Sequence, residues 1–119
     1  MLLMLALSGC AKKDDSSAAV KPVETFYNDI VEQNRENVSN ITCSEWESEA
    51  IREVDSFMGV KTEMNDFSCK LDFSDGDEAQ VSCNGSISAS YGNEVTEFPL
   101  NNREHTVIKE DGEWRICGY

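Results

Sequence analysis

The sequence predicts an α+β domain in which two or three N-terminal helices pack on a four-stranded antiparallel meander. Two observations carry that expectation. Apolar residues recur at intervals of three and four up to Gly59, and at every second position beyond it. The second half is also divided by three turn signals, Ser74-Asp-Gly-Asp-Glu78, Tyr91-Gly-Asn-Glu94 and Glu110-Asp-Gly-Glu113.

Pro22 suits the first turn of a helix. Val23, Phe26, Tyr27, Ile30 and Val31 then form one apolar stripe, with Glu24, Asp29 and Glu32 off it and an end near Asn34. Val38 and Ile41 anchor a short helical turn. Ser44-Glu-Trp-Glu47 reads as a capping box opening a longer helix, with Trp46, Ala50, Ile51, Val54 and Phe57 on one face and Gly59 as its C-terminal cap.

Beyond Gly59, Phe67, Cys69, Leu71 and Phe73 alternate with polar residues. Ala79, Val81, Cys83, Gly85, Ile87 and Ala89 do the same after the first turn. Gly92-Asn93 is a two-residue hairpin signal, followed by Thr96, Phe98 and Leu100 on one side. The third strand is long and interrupted at Pro99. It resumes near His105 and turns at Asp111-Gly112 into a last strand with Trp114, Ile116 and Cys117.

A chain of 119 residues with 39% hydrophobic residues is expected to form one soluble domain. Lys and Arg number 10 against 23 Asp and Glu, a net charge of −13. Lys12 and Lys13 cancel Asp14 and Asp15, so the excess lies on the domain. Such a surface repels phosphate backbones and anionic head groups, which argues against nucleic-acid binding and against adhesion of the domain itself to a bilayer.

The first ten residues, Met-Leu-Leu-Met-Leu-Ala-Leu-Ser-Gly-Cys10, are too short an apolar run to span a bilayer. Leu7-Ser8-Gly9-Cys10 resembles the bacterial lipobox. That resemblance implies that residues 1–10 are a lipoprotein signal, that the Cys10 thiol is lipidated (diacylglyceryl, with palmitate-type chains), and that the domain is anchored on the extracytoplasmic side of the envelope. No Lys or Arg precedes the run, which departs from the usual signal. Residues 11–21 carry charges and small residues without periodicity and read as a flexible tether, reaching roughly 18 Å. In a bacterial chain the sequons at Asn37, Asn40 and Asn84 carry no information.

The helical first third, the meander and the closing Lys109-Glu-Asp-Gly-Glu-Trp-Arg-Ile116 resemble the nuclear transport factor 2-like, cystatin-like group of domains, over residues 22–119. The resemblance implies a curved sheet, a cone-shaped domain and a core position for Trp114. It says little about activity, because that fold hosts isomerases, dehydratases and plain binding modules.

With Cys10 acylated, four cysteines allow three pairings. Matching the inward faces of the first two strands sets Phe73 against Ala79, Leu71 against Val81 and Cys69 against Cys83, a geometry suited to a disulfide. Cys43 and Cys117 remain. Carrying the Gly92-Asn93 register along the third strand sets Thr106 near the level of Ala79 and Cys117 opposite Thr106 or Val107, beside the start of the long helix. A shift at Pro99 would alter that alignment. The absence of any Cys-x₂-Cys pair argues against zinc.

His105 is the sole histidine. Glu104 falls on the opposite face of a strand, so the two make no dyad, and His105 is expected to face solvent. Asp72, Asp75, Asp77 and Glu78 read as turn chemistry rather than a calcium loop. Glu45, Glu47, Glu49, Glu53 and Asp55 give the long helix a solvated acidic face, the early acids matching its dipole. No catalytic triad, phosphate loop, metal site or cofactor motif is legible. The expectation is a non-catalytic binding or accessory module for a protein or small molecule. The alternative is a small lyase- or isomerase-like enzyme using a carboxylate or His105 in the cone.

Overall fold

The computed structural model describes residues 15–101 and 103–119; Cys10 and the expected signal segment lie outside them. Helix α1 spans Val20–Glu32, α2 Val38–Ile41 and α3 Glu47–Asp55. The strands are β1 Lys61–Asp75, β2 Glu78–Tyr91, β3 Glu94–Pro99, β4 Arg103–Glu110 and β5 Glu113–Ile116. The helices pack on a curved antiparallel sheet that forms a half-barrel, the α+β class expected.

The sheet runs β1-β2-β4-β5, with β3 also on β2. The interrupted third strand is thus two strands sharing one edge of β2. β3 follows the two-residue hairpin register from Tyr91–Glu94 to Ser86–Pro99. β4 pairs Glu78 with Ile108 and Cys83 with Arg103, a register longer by one residue. The extra residue enters between Leu100 and Arg103. It follows the close approach of Gly85, whose φ is +105° and whose Cβ, if present, would lie 2.5 Å from the Asn65 carbonyl oxygen.

Apolar burial drives the assembly. Val23, Phe26, Tyr27 and Ile30 of α1 are fully buried against Ala79, Val81, Ile87 and Ala89 of β2, with Val54 of α3 and Val107 and Ile116 closing the cluster. Asp29 departs from its expected place off the stripe: it is buried, and its carboxylate accepts the Asn37 side-chain amide at 2.9 Å. Gln33 ends α1 in the left-handed region (φ 57°), and its side-chain amide donates to the carbonyls of Phe57 and Val60.

Several sequence expectations need correction. Ser44 caps nothing: α3 begins at Glu47 behind Trp46, without a side-chain cap. The Cys43–Trp46 segment is instead a turn, held to β5 by the Cys43 amide on the Ile116 carbonyl at 3.0 Å. Gly59 lies four residues past the end of α3, on a turn with φ +76°. Asp15–Ala19 form a 3₁₀ turn and Ala19 is fully buried, so ordered chain reaches back into the segment read as tether. Phe73 is 58% exposed, because a shift in β1 between Leu71 and Phe73 sets it against Gln80 rather than Ala79. Trp114 is only part-buried, and with Pro22 and Ile41 it lines a shallow cavity of about 300 Å³.

Disulfides join Cys69 to Cys83 and Cys43 to Cys117, separated by 14 and 74 residues. The first lies between the two irregularities of β1 and fixes its register there. The second ties the loop before α3 to the end of β5. On the chain-entropy model, replacing Cys43 and Cys117 together by Ser should cost about 4.5 kcal/mol. The same change at Cys69 and Cys83 should cost about 3 kcal/mol. Denaturant unfolding of the two double variants checks the order.

Candidate functional site

The cone of this fold converges on side chains from four elements. α1 supplies Tyr27, β4 supplies Arg103 and His105, the segment after β5 supplies Tyr119, and α3 supplies Glu53. His105 is not solvent-facing, as the sequence reading had it, but 0% exposed. Its inward turn follows from register. β2 buries Ala79 and Val81, and their partners on β4 are Val107 and His105. A hairpin register continued unbroken from Gly92-Asn93 puts Thr106 opposite Ala79 and turns His105 outward. The extra residue before Arg103 reverses that alternation.

Hydrogen bonds fix the protonation of the histidine. Its Nδ1 lies 2.9 Å from the Val81 carbonyl oxygen, which only accepts, so Nδ1 carries the proton. Nε2 then accepts from the Tyr27 hydroxyl at 2.6 Å. The Arg103 guanidinium donates to the Tyr27 oxygen at 3.4 Å and stacks over the Tyr119 ring, 4.4 Å from its centroid. Burial lowers the imidazole to about 4; the Val81 bond opposes the shift and the Arg103 charge adds to it. Burial also pushes the Tyr27 phenol up to about 12, although Arg103 opposes the shift. Tyr119 is raised as well, first by desolvation and then by the neighbouring Glu53 carboxylate. Both phenols and the imidazole are therefore neutral at physiological pH.

Aromatic rings fill the space around this chain. Tyr27 meets Phe26, Phe67 and His105 edge-on at 5.2, 5.6 and 5.4 Å. The exposed Tyr119 ring packs 5.5 Å from His105 and 5.6 Å from Trp46. A neutral His–Tyr pair has the composition of an acid–base couple. Here each imidazole nitrogen is already engaged and the ring is shielded.

The other expected residues do not join this cluster. Glu104 lies on the outer sheet face with Lys70, Asp72 and Ser82, around a polar cavity of about 280 Å³. Partial desolvation and then the Asp72 carboxylate raise the Glu104 carboxyl. Asp75 and Glu78 flank the first hairpin turn, as expected. Among the described residues no group of three His, Cys, Asp or Glu side chains could hold a metal ion, and no helix is long and apolar enough to cross a membrane. Sequence reasoning missed Tyr27, Arg103 and Tyr119 as partners of His105. Tyr27 was legible only as a member of an apolar stripe, and the sequence carries no local signal for the other two.

No family model matches the sequence. No curated protein matches it either. Among solved structures, a provisionally named scytalone dehydratase from Novosphingobium aromaticivorans is similar, with a TM-score of 0.57 and 14% identity over 83% of this chain and 76% of that one. The likeness is one of fold, the nuclear transport factor 2-like cone.

His105→Ala should destabilise the domain by about 3 kcal/mol, because it removes the acceptor of the buried Tyr27 O–H and the imidazole bond to the Val81 carbonyl, and opens a cavity. The pH dependence has a definite sign. The folded-state value of about 4 lies below the ordinary 6.5. The unfolded chain therefore binds more protons between these values, and stability falls as pH drops through that window. Urea unfolding at a series of pH values should show a decline between pH 6.5 and 4 that is shallower in His105→Ala.

Proposed function

We propose that this chain is a lipid-anchored, extracytoplasmic binding or accessory module whose cone serves as a filled scaffold rather than a reaction chamber. The observation that supports this reading most directly is the state of His105: 0% exposed, both ring nitrogens hydrogen-bonded, and the Tyr119 ring packed 5.5 Å away. A general base must reach the proton it abstracts, and the accepting nitrogen here, Nε2, is engaged by the Tyr27 hydroxyl. The two disulfides are consistent with a place outside the cytoplasm. The Leu7-Ser8-Gly9-Cys10 sequence supports anchoring through Cys10.

A lyase- or isomerase-like enzyme is the second reading. The Tyr27–His105 bond and the name of the similar solved structure favour it. Turnover would require the packing around His105 to open, so the two readings differ in whether solvent and reagents reach the imidazole.

The single histidine makes that question direct. Diethyl pyrocarbonate should leave His105 unmodified in the native chain and modify it after unfolding, followed by mass spectrometry. Rapid modification under native conditions would favour the enzyme reading. For anchoring, Cys10→Ser in a chain expressed with a complete export signal should move the protein from the detergent phase to the aqueous phase. Unchanged partitioning would refute lipidation at Cys10.

A further inference from the structure

The sheet has three outer edges, and they are not equivalent. The edge beyond β5 is occupied by Thr42, which forms a parallel bridge with Ile116. The edge of β1 is broken by register irregularities between Asn65 and Ser68 and between Leu71 and Phe73, which interrupt the row of backbone groups another strand would need. The edge of β3 is different. Its pairing with β2 is regular throughout, and β2 is its sole strand partner among the described residues. Five of its six residues are exposed, Val95 to 66%.

The hairpin defines which backbone groups this edge offers. In a two-residue hairpin Tyr91 and Glu94 form the closing hydrogen-bonded pair, so Glu94, Thr96 and Phe98 bond to β2. The amides and carbonyls of Val95 and Glu97, with the carbonyl of Pro99, point away from the sheet. Val95, Glu97 and Pro99 oppose Ser90, Ser88 and Ser86 and share their outer face. On that same face, Glu97 and Pro99 border a polar cavity of about 530 Å³, whose other walls include Asn65, Asp66 and Asn101. An added strand would therefore find free donors and acceptors, with an acidic recess beside it.

We propose that the β3 edge receives an extended, basic segment of a partner protein by strand addition. A Lys or Arg of that segment would cross Glu97 into the recess at Asp66. The proposal rests on the binding-module reading and names the chemistry of its partner. Charge decides the occupant. β3 carries Glu94 and Glu97 and no basic residue, on a chain of net charge −13. Antiparallel pairing of two β3 edges would set these carboxylates against one another, which destabilises cross-strand pairs. A basic partner strand meets the same groups with opposite sign, and its backbone hydrogen bonds supply affinity while alternate side chains supply specificity.

The test uses the full chain, ¹⁵N-labelled, with three capped ten-residue probes: alternating Lys and Val, alternating Glu and Val, and the Lys peptide with two central prolines. The Lys peptide should slow hydrogen exchange at the Val95 and Glu97 amides, and the other two should not. Val95→Pro removes one outward donor at an exposed edge position and should abolish the effect with the thermal midpoint nearly unchanged. Glu97→Lys should weaken the Lys peptide roughly fivefold or more and improve the Glu peptide. Unchanged exchange at Val95 and Glu97, equal binding of both charged peptides, or binding indifferent to Glu97→Lys would overturn the proposal. So would protection that grows with protein concentration in the absence of peptide, which would identify a second copy as the occupant. None of these outcomes depends on the accessibility of His105.

Discussion

The backbone pairing of β2 governs what this domain can contain. One of its edges is shared between β3 and β4 in registers that differ by one residue. Because side chains alternate across a strand, that single residue sets the whole inward set of β4: Val107, His105 and Arg103 enter the cone, and Glu104 leaves it. The hydrogen-bond chain from Val81 through His105 and Tyr27 to Arg103 exists only in this register. So does the neutral state of the imidazole, which depends on burial between α1 and β4.

This dependence explains what was legible in the sequence. Periodicity located the three helices and the strand regions, with β3 and β4 counted as one interrupted strand, because a buried stripe on α1 or an alternating β2 imposes its own period. Three turn signals fixed the hairpins, and the register between β1 and β2 held at Cys69–Cys83 and Leu71–Val81. The errors cluster where a long-range constraint overrides a local one. Phe73 reads as a core residue, but the irregularity at Asp72 rotates it outward. Ser44 has the spacing of a cap, but the backbone of Cys43 is bound to Ile116. His105 has the alternation of an exposed residue only while the third strand is counted without its inserted residue. Pro99 marked the place of that break but not its length, and a one-residue difference in length is invisible to composition and periodicity alike.

The candidate site was less legible than the fold for a related reason. Its members come from positions 27, 53, 103, 105 and 119, and no two belong to a shared motif. Tyr27 repeats at helical spacing with Phe26 and Ile30, where a phenol and a phenyl serve the stripe equally. Its hydroxyl acquires meaning only when β4 brings a nitrogen within 2.6 Å. Buried polar groups of this kind specify one packing arrangement, since each must be satisfied or bear a desolvation penalty. Among the described residues every buried side-chain polar atom has a partner, so none of them bears that penalty.

The two bridges are nested: the loop closed by Cys43 and Cys117 encloses the pair Cys69 and Cys83. In a chain that emerges N-terminus first, Cys43 is available to Cys69 and Cys83 well before Cys117 exists. Sequential oxidation of neighbours would therefore yield a mispaired product. Two features oppose that outcome. The inner loop is short, so closing it carries the smaller entropy cost, and its cysteines face each other across a hairpin that forms from local contacts. Once that hairpin is oxidised, Cys43 has a single remaining partner in the domain, and that partner arrives with the last strand. The order in which the thiols are consumed thus becomes a record of assembly, the outer bridge closing only on a sheet already complete.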